Sequence, residues 1–331
     1  MNKMSSLTRD DLFQHVLLSP VGDGCDELHV LSGYASADFV LFHLLEIRTH
    51  LGREISVHLH VGMTGEDGLE LSSHRSFLAA IEAISGDWLR VSYSPIGVSD
   101  HSKLYVWRRT GVAEVAWLGS ANYSASGFGL AGARRESMVQ VDPASAWRAL
   151  RSAVEGFVPA GDPDLFGRVH IYEVTSPEQR RRVLEPVPIA LPDDSAAKSV
   201  ELPLVQTTRS PGEVHNAGAG LNWGQRGNRR RAEAYIPVPS KIAQLGFFPQ
   251  RGYPFAAHTD DGDTIFFTVA QDGDKALHSV PDNATVGVWF RRRLGVGDEA
   301  FVTTADLERF GRSNVTFTAL GDGSYFLDFR P

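Results

Sequence analysis

Two short stretches, His101-Ser102-Lys103 and Gly119-Ser120-Ala121-Asn122, hold the side chains that phosphodiester chemistry needs. An imidazole can attack phosphorus or hand a proton to a leaving oxygen. An ammonium offsets phosphate charge, and hydroxyl and amide donors hold the non-bridging oxygens. Residues two apart on a strand share a face. His101 is therefore expected to project with Lys103, and Ser120 with Asn122 from a neighbouring strand, putting four phosphate-competent groups on one surface. Gly119 would let backbone approach a ligand closely. Twelve histidines and five lysines in 331 residues produce a His-x-Lys triplet by chance about 0.2 times per chain. Setting strengthens the triplet: Lys103-Leu104-Tyr105-Val106-Trp107 reads as a strand, and the apolar run Val115-Ala116-Trp117-Leu118 leads directly into Gly-Ser-x-Asn. The plain alternative is an ordinary strand pair with polar residues on its surface.

The elements that must position these residues alternate between two periods. Leu28 to Tyr34 reads as a strand with a glycine at 33, and Ala37 to His50 as a helix that Gly52 ends. Ile55 to Val61 reads as a strand, Ser73 to Ile84 as a capped helix, and Leu89 to Tyr93 as a strand. After the two motif strands, Ser137 to Val141 reads as a short strand and Ala144 to Phe157 as a helix. Such alternation predicts an α/β domain with one sheet flanked by helices. Residues 176–198, with Arg180-Arg181-Arg182 and then Pro186, Pro188 and Pro192, read as an extended linker. Beyond it lie short β-rich runs, Thr264 to Val269, Val286 to Phe290, Val315 to Leu320 and Tyr325 to Phe329, separated by Asp261-Gly262, Asp272-Gly273 and Asp322-Gly323. A small helix is expected around Thr304 to Phe310, opened by Thr304 and closed by Gly311. The second half should be a small barrel.

A length of 331 residues with 42% apolar content suits two ordinary cores. No apolar stretch approaches 18 residues, and Met1 to Ser5 leads into Asp10-Asp11 rather than an apolar signal, so a cytoplasmic protein without membrane attachment is expected. The single Cys25 excludes an internal disulfide and a cysteine-cluster metal site. A net charge of −8 speaks at first against nucleic acid. Its distribution matters more. Residues 1–175 carry 14 basic and 21 acidic groups, 176–198 carry 4 and 4, and 199–331 carry 14 and 15, with arginines clustered in the last segment. Arginine dominates lysine, which suits bidentate recognition of phosphate or guanine.

The two stretches resemble the signature of the phospholipase D superfamily, His-x-Lys-x4-Asp followed by Gly-Ser-x-Asn, in three of four elements. The Asp would fall at Arg108, and Glu136 matches the family's histidine-orienting glutamate. Gly220 to Arg226, Tyr235 to Pro239 and Trp289 to Gly295 resemble the C-terminal domain of the NgoFVII-type restriction endonucleases, relatives of the plant B-three DNA-binding pseudobarrel. The implied architecture is an α/β phospholipase-D-like nuclease and dimerisation domain over 1–175, the linker over 176–198, and an all-β pseudobarrel DNA-recognition domain over 199–331. The implied activity is sequence-specific cleavage of double-stranded DNA with no metal and no cofactor.

Since such a site needs two histidines and no second His-x-Lys occurs, the resemblance implies a homodimer that pools two copies of His101, Lys103, Ser120, Asn122 and Glu136, with a covalent phosphohistidine. In the C-terminal domain, Asn222, Gln225 and Arg226 have the chemistry to read base edges. Arg229, Arg230 and Arg231 with Arg291, Arg292 and Arg293 would clamp phosphates, and Lys275 and His278 would form a second reading loop. Trp223 is expected in the core. The family also includes nucleases silent until a separate helicase-type ATPase joins; no P-loop occurs here, so that partner would be another chain. Two rivals stay open, a lipid or nucleotide phosphodiesterase of the same superfamily, and a DNA-binding regulator whose phospholipase-D-like domain only dimerises it.

Overall fold

The alternating pattern before residue 172 folds into a mixed sheet with helices on both faces. In the computed structural model, which describes residues 7–84, 88–130, 135–172, 199–206, 212, 214, 218–320 and 323–331, the chain divides into two units, Met1–Ala190 and Leu191–Pro331. The expected linker and the Asp322 half of the last turn lie outside the described residues.

The strands of the first unit are β1 (Leu7–Thr8), β2 (Glu27–Ser32), β3 (Ser56–Val61), β4 (Leu69–Glu70), β5 (Leu89–Tyr93), β6 (Lys103–Arg109), β7 (Val112–Gly119), β8 (Met138–Gln140), β9 (Val158–Pro159) and β10 (Ile171–Tyr172). The main sheet has the order β1-β8-β7-β6-β2-β3-β5-β9, and β10 pairs separately with β4. Parallel pairs β2–β3 and β3–β5, edged by the short antiparallel β9, form one half, and antiparallel pairs from β2–β6 outward form the other. The central strands are buried along most of their length, β2 from Leu28 to Ser32 and β6 from Lys103 to Trp107, and that burial encloses polar side chains, His29, Ser32 and Lys103 among them.

One face packs Leu28, Val30, Tyr105 and Trp107 against the Ala37–Glu46 helix side, where the Trp107 indole donates to Val16 O at 2.7 Å and packs edge-on against His43. The other packs Leu31, Leu104, Val106 and Ala116 under the Pro143–Ala153 helix, which Asp142 caps by accepting from Ser145 N at 2.8 Å. Gly52, in the left-handed region, stops the chain after the Ala37–Glu46 helix and the turn that follows it, as its position predicts. The helix expected over 73–84 runs over Leu71–Ala83 and has no side-chain cap, because residue 70 at its N-cap is a glutamate whose carboxylate makes no cap bond.

His43 is fully buried between Tyr123 OH, 2.7 Å from Nδ1, and Leu17 O, and burial holds its pKa down at about 4. A folded value below the unfolded value of about 6.5 means that the unfolded chain takes the proton first as pH falls. His43 therefore supplies stability that is full above pH 6.5 and is lost down to pH 4, on the order of 3 kcal/mol at 1.36 kcal/mol per unit. Urea midpoints at pH 7.5 and 4.5 should fall markedly more for the native chain than for His43→Gln; equal falls would remove His43 as the cause.

The second unit carries β11 (Ser199–Pro203), β12 (Ile236–Pro237), β13 (Pro254–Thr259), β14 (Thr264–Ala270), β15 (Ala276–Val280), β16 (Asn314–Ala319) and β17 (Tyr325–Asp328), in the order β11-β16-β17-β13-β14-β15-β12. The sheet curls as a half-barrel around Val200, Phe255, Phe267, Leu277, Phe317 and Leu327. Val286 to Phe290, expected as a strand, lies inside the Ala284–Leu294 helix. Val286, Trp289, Phe290 and Leu294 recur at helical spacing and fill the same core, a period that a five-residue window misses. The Thr304–Phe310 helix forms and Gly311 is left-handed at its end, but its cap is Thr303 rather than Thr304, because Thr303 is the residue whose hydroxyl reaches Asp306 N, in a capping box with Asp306.

Candidate active site and DNA-binding surface

Register between β2 and β6 sets Ser32, the last residue of one, opposite Lys103, the first of the other, at the same end of the sheet. His101 lies two residues before β6, outside the strand, so strand alternation does not bring it to Lys103. A close approach does. Gly33 follows β2, and a Cβ placed there would stand 2.9 Å from His101 Cδ2 and 3.2 Å from Lys103 Nζ. The imidazole and the ammonium thus meet over the bare α-carbon of Gly33. Lys103 is only 5% exposed, and its Nζ donates to His101 O at 2.5 Å. Burial pushes the ammonium pKa down, while the carboxylates of Glu136 and Asp100 draw it back up.

Main-chain contacts pin the loop before His101. Asp100 N donates to Gly62 O at 2.8 Å, Asp100 Oδ1 accepts from Ser102 N at 2.8 Å, and a Cβ on Gly62 would overlap the Asp100 carbonyl. Likewise, a Cβ on Gly119 would overlap the Ser137 carbonyl. Ser120 and Asn122 also lie past the end of their strand, β7. Ser120 N donates to Ser137 O and its Oγ accepts from Ser137 N, both at 3.0 Å, which draws the segment carrying Glu136 alongside. Asn122 Oδ1 accepts from Tyr34 N at 3.2 Å and from Ser32 Oγ at 3.3 Å, so its amide is tied to both neighbours of Gly33 and Nδ2 is turned away from them. The structure thus gathers His101, Lys103, Ser120, Asn122 and Glu136 at one end of the sheet. Among the described residues no hydrogen bond joins Glu136 to His101; Glu136 acts on Lys103 through its charge.

Sequence reasoning missed Ser32, Gly33, Tyr34 and Asp67. The Tyr34 ring stands edge-on to the His101 imidazole at 5.8 Å, and its hydroxyl donates to Asp67 Oδ2 at 2.5 Å. A glycine closing an apolar strand was the available signal. Gly33→Ala should lower turnover about 100-fold, the order of cost for a misplacement near 1 Å, with a nearly unchanged melting temperature. Unaltered turnover would show that His101 and Lys103 do not need that approach.

Arg108, at the position of the signature's Asp, lies five residues from Lys103, about 16 Å along a strand and beyond a register shift in β6. Its Nη1 donates to Glu27 Oε2 at 2.7 Å and its guanidinium sits 4.4 Å from the Trp147 ring centre, under the Pro143–Ala153 helix. A carboxylate at 108 would not reach this site.

In the second unit, two expected DNA contacts are corrected. Asn222 is 0% exposed and clamps Val302, donating to its O and accepting from its N at 2.8 Å each. Arg291 is 0% exposed and donates to five carbonyls, those of Ala300, Ala232, Gly287, Leu221 and Arg231. A buried polar group needs internal partners, and these two side chains hold the unit together instead of reaching its surface. Arg293 is largely spent on Asp260 and Asp261, at 2.7 and 3.1 Å.

Of the remaining residues, Arg292 holds an exposed helix position, and Arg229 and His278 share one aromatic cluster. Arg292 faces solvent near Asp298. Pairing of β12 with β15 brings Tyr235 against His278, ring centres 5.6 Å apart, beside Trp223, over which Arg229 stacks at 3.6 Å. Trp223 is buried, as expected. Arg226 bonds Gly218 O, Arg229 pairs with Glu233, Arg230 with Asp282 and Glu233, and Gln225 Nε2 donates to Arg231 O and Glu299 O at 3.1 Å. Arg231 and Lys275 are exposed.

No helix among the described residues is long and apolar enough to cross a membrane. No curated protein matches the chain. Solved structures similar to the first half include NucT from Helicobacter pylori, 14% identical over 47% of this chain and 98% of that one with a TM-score of 0.33. Nuc from Salmonella typhimurium, a phospholipase D family member, is 12% identical over 47% and 96% with a TM-score of 0.32. Polyphosphate kinase from Porphyromonas gingivalis is 12% identical over 45% of this chain and 21% of that one with a TM-score of 0.30. Residues 10–156 match the model of the NgoFVII restriction endonuclease N-terminal PLD domain, and residues 197–321 that of the NgoFVII C-terminal B3-like DNA-binding domain. Matched along both halves, the chain belongs to the NgoFVII restriction endonuclease family, an endonuclease that joins a PLD domain to a DNA-binding one.

Proposed function

We propose that two copies of this chain form one composite site that cuts a specific DNA sequence through a covalent phosphohistidine, without a metal at the reacting phosphate. The observation that carries the reading is the meeting of His101 and Lys103 over Gly33, with Asn122 bonded to both flanking residues. One His101 attacks phosphorus, forming a P–N bond as the P–O bond to the leaving oxygen breaks. The second copy's His101 gives that oxygen its proton, then takes one from the water that cleaves the P–N bond. A single imidazole cannot be nucleophile and acid in the same step, hence the dimer. Lys103, Ser120 and Asn122 oppose the charge on the non-bridging oxygens. Glu136 helps keep the buried Lys103 protonated.

In this reading residues 1–175 cut and dimerise, 176–198 link, and 199–331 close as a pseudobarrel that reads DNA. Gln225, Arg226, Arg229, Arg230, Arg231, Lys275 and His278 form the DNA-facing group, with Arg292 a further phosphate contact. Denaturing gels of the intact protein with end-labelled cognate DNA in EDTA should show an acid-labile protein–DNA adduct that His101→Ala does not form. Cleavage only with an added divalent ion, and no adduct, would overturn the mechanism. Specific binding with cleavage appearing only on addition of a helicase-type ATPase and ATP would establish the regulated form.

A further inference from the structure

On the sheet face covered by the Pro143–Ala153 helix lies a histidine layer that the nuclease reading leaves without a task. His29 on β2 and His58 on β3 are register partners, and their rings stack at 4.2 Å and 20°. Both present Nε2 to the same carboxylate oxygen. Glu27 Oε1 is 2.9 Å from His29 Nε2 and 3.5 Å from His58 Nε2, and the three ligand atoms all lie within 4.8 Å of one another. A tetrahedral zinc ion with bonds of about 2.0–2.2 Å holds its ligand atoms roughly 3.3 Å apart. The two spacings bracket that value.

We propose that Glu27, His29 and His58 form a structural site for a late first-row divalent cation, of which zinc is the best fit, with water in the fourth position. Two imidazoles and one carboxylate favour zinc or cobalt over magnesium or calcium. Ligand imidazoles must be neutral. Binding asks each ring to carry its proton on Nδ1 and one ring to tilt out of the parallel stack.

The outer surroundings are also those of a metal site. Glu27 Oε2 accepts from Arg108 at 2.7 Å, which fixes the carboxylate and leaves Oε1 for the ion. Trp147 closes one side, its ring centre 4.6 Å from that of His29. His60 sits further along the layer with Nδ1 bonded to Ser92 Oγ at 2.7 Å, outside the ligand set. Arg108 and Arg90 are the opposing charges, and they weaken cation binding by repulsion; the Glu27 carboxylate stands between Arg108 and the ligand position. An ion here would tie β2 to β3, and β2 leads into Gly33. Lys103 projects from the opposite face, so the ion would not touch the reacting phosphate.

Titration of the intact protein, first stripped with chelator and dialysed, with Co²⁺ should give one equivalent bound per chain and visible d–d bands of tetrahedral intensity. Zn²⁺ should displace the cobalt and raise the melting temperature by about 5 °C at saturation. His58→Gln and Glu27→Gln should lose the bands and the shift, and His60→Gln should keep both. No bands in the native chain, or bands that survive in His58→Gln, would overturn the site. His101→Ala retains the bands under this proposal, so its outcome is separate from that of the nuclease mechanism.

Discussion

Cleavage by His101→Ala will fall by about 10⁴-fold or more, the scale seen when a covalent nucleophile is removed, while specific DNA binding stays near the native level. A mixing experiment tests the sharing of the site. If two copies share one site, a dimer of one native and one His101→Ala chain has either the attacking or the proton-donating imidazole missing, and it should cut no faster than about a hundredth of the native rate. Independent sites would leave half the activity. Titrating excess His101→Ala into a fixed amount of native chain, with time for exchange, should therefore suppress cleavage far below half, whereas a rate proportional to native chain would sink the composite site. The same logic makes Lys103→Ala severe and Lys103→Arg only partly tolerated, because the ammonium occupies a space defined by Gly33 Cα and the His101 carbonyl.

The second large effect concerns stability. Arg291→Met keeps the apolar stem of the side chain and removes a guanidinium that donates to five carbonyl oxygens, of which Arg231 O keeps a second donor in Gln225 Nε2. A buried acceptor left without a donor costs about 1–3 kcal/mol, so even with partial relaxation the loss should exceed about 4 kcal/mol and approach the whole stability of a small domain. Urea unfolding of the intact protein, followed by the fluorescence of Trp223 and Trp289, should show the second unit unfolding at much lower denaturant. Arg292→Ala should shift the midpoint by no more than about 0.5 kcal/mol and weaken DNA binding on all sequences alike. A native midpoint with weak DNA binding for Arg291→Met would return Arg291 to the DNA surface.

Much of the nuclease unit was legible because its signals are local. His101, Lys103, Ser120 and Asn122 sit at a spacing that few other chemistries require, and the helix ends at Gly52 and Gly311 were marked by their glycines. The expected mechanism of convergence was different, however. Three of those four residues lie beyond strand ends, and their meeting depends on Gly33, Ser32 and Tyr34, about 70 to 90 residues away in sequence, a pairing that no local window contains. The arginines of the second unit show a further limit. Arg291 and Arg292 are adjacent and identical in type, yet one is sealed under five carbonyls and the other faces solvent. Residue type gives the chemistry of a guanidinium but not the side of the helix on which it lies. Helical periodicity over 284–294 would have given it, had the run been read as a helix rather than a strand.

At the rim of the candidate site, Gly62 and Gly119 bring main chain against main chain so closely that no β-carbon fits between them and the Asp100 and Ser137 carbonyls. Geometry set that way is insulated from drift in neighbouring side chains. The Asp100 and Ser137 segments thus keep their places through main-chain fit, and they keep them only while positions 62 and 119 stay bare of a β-carbon.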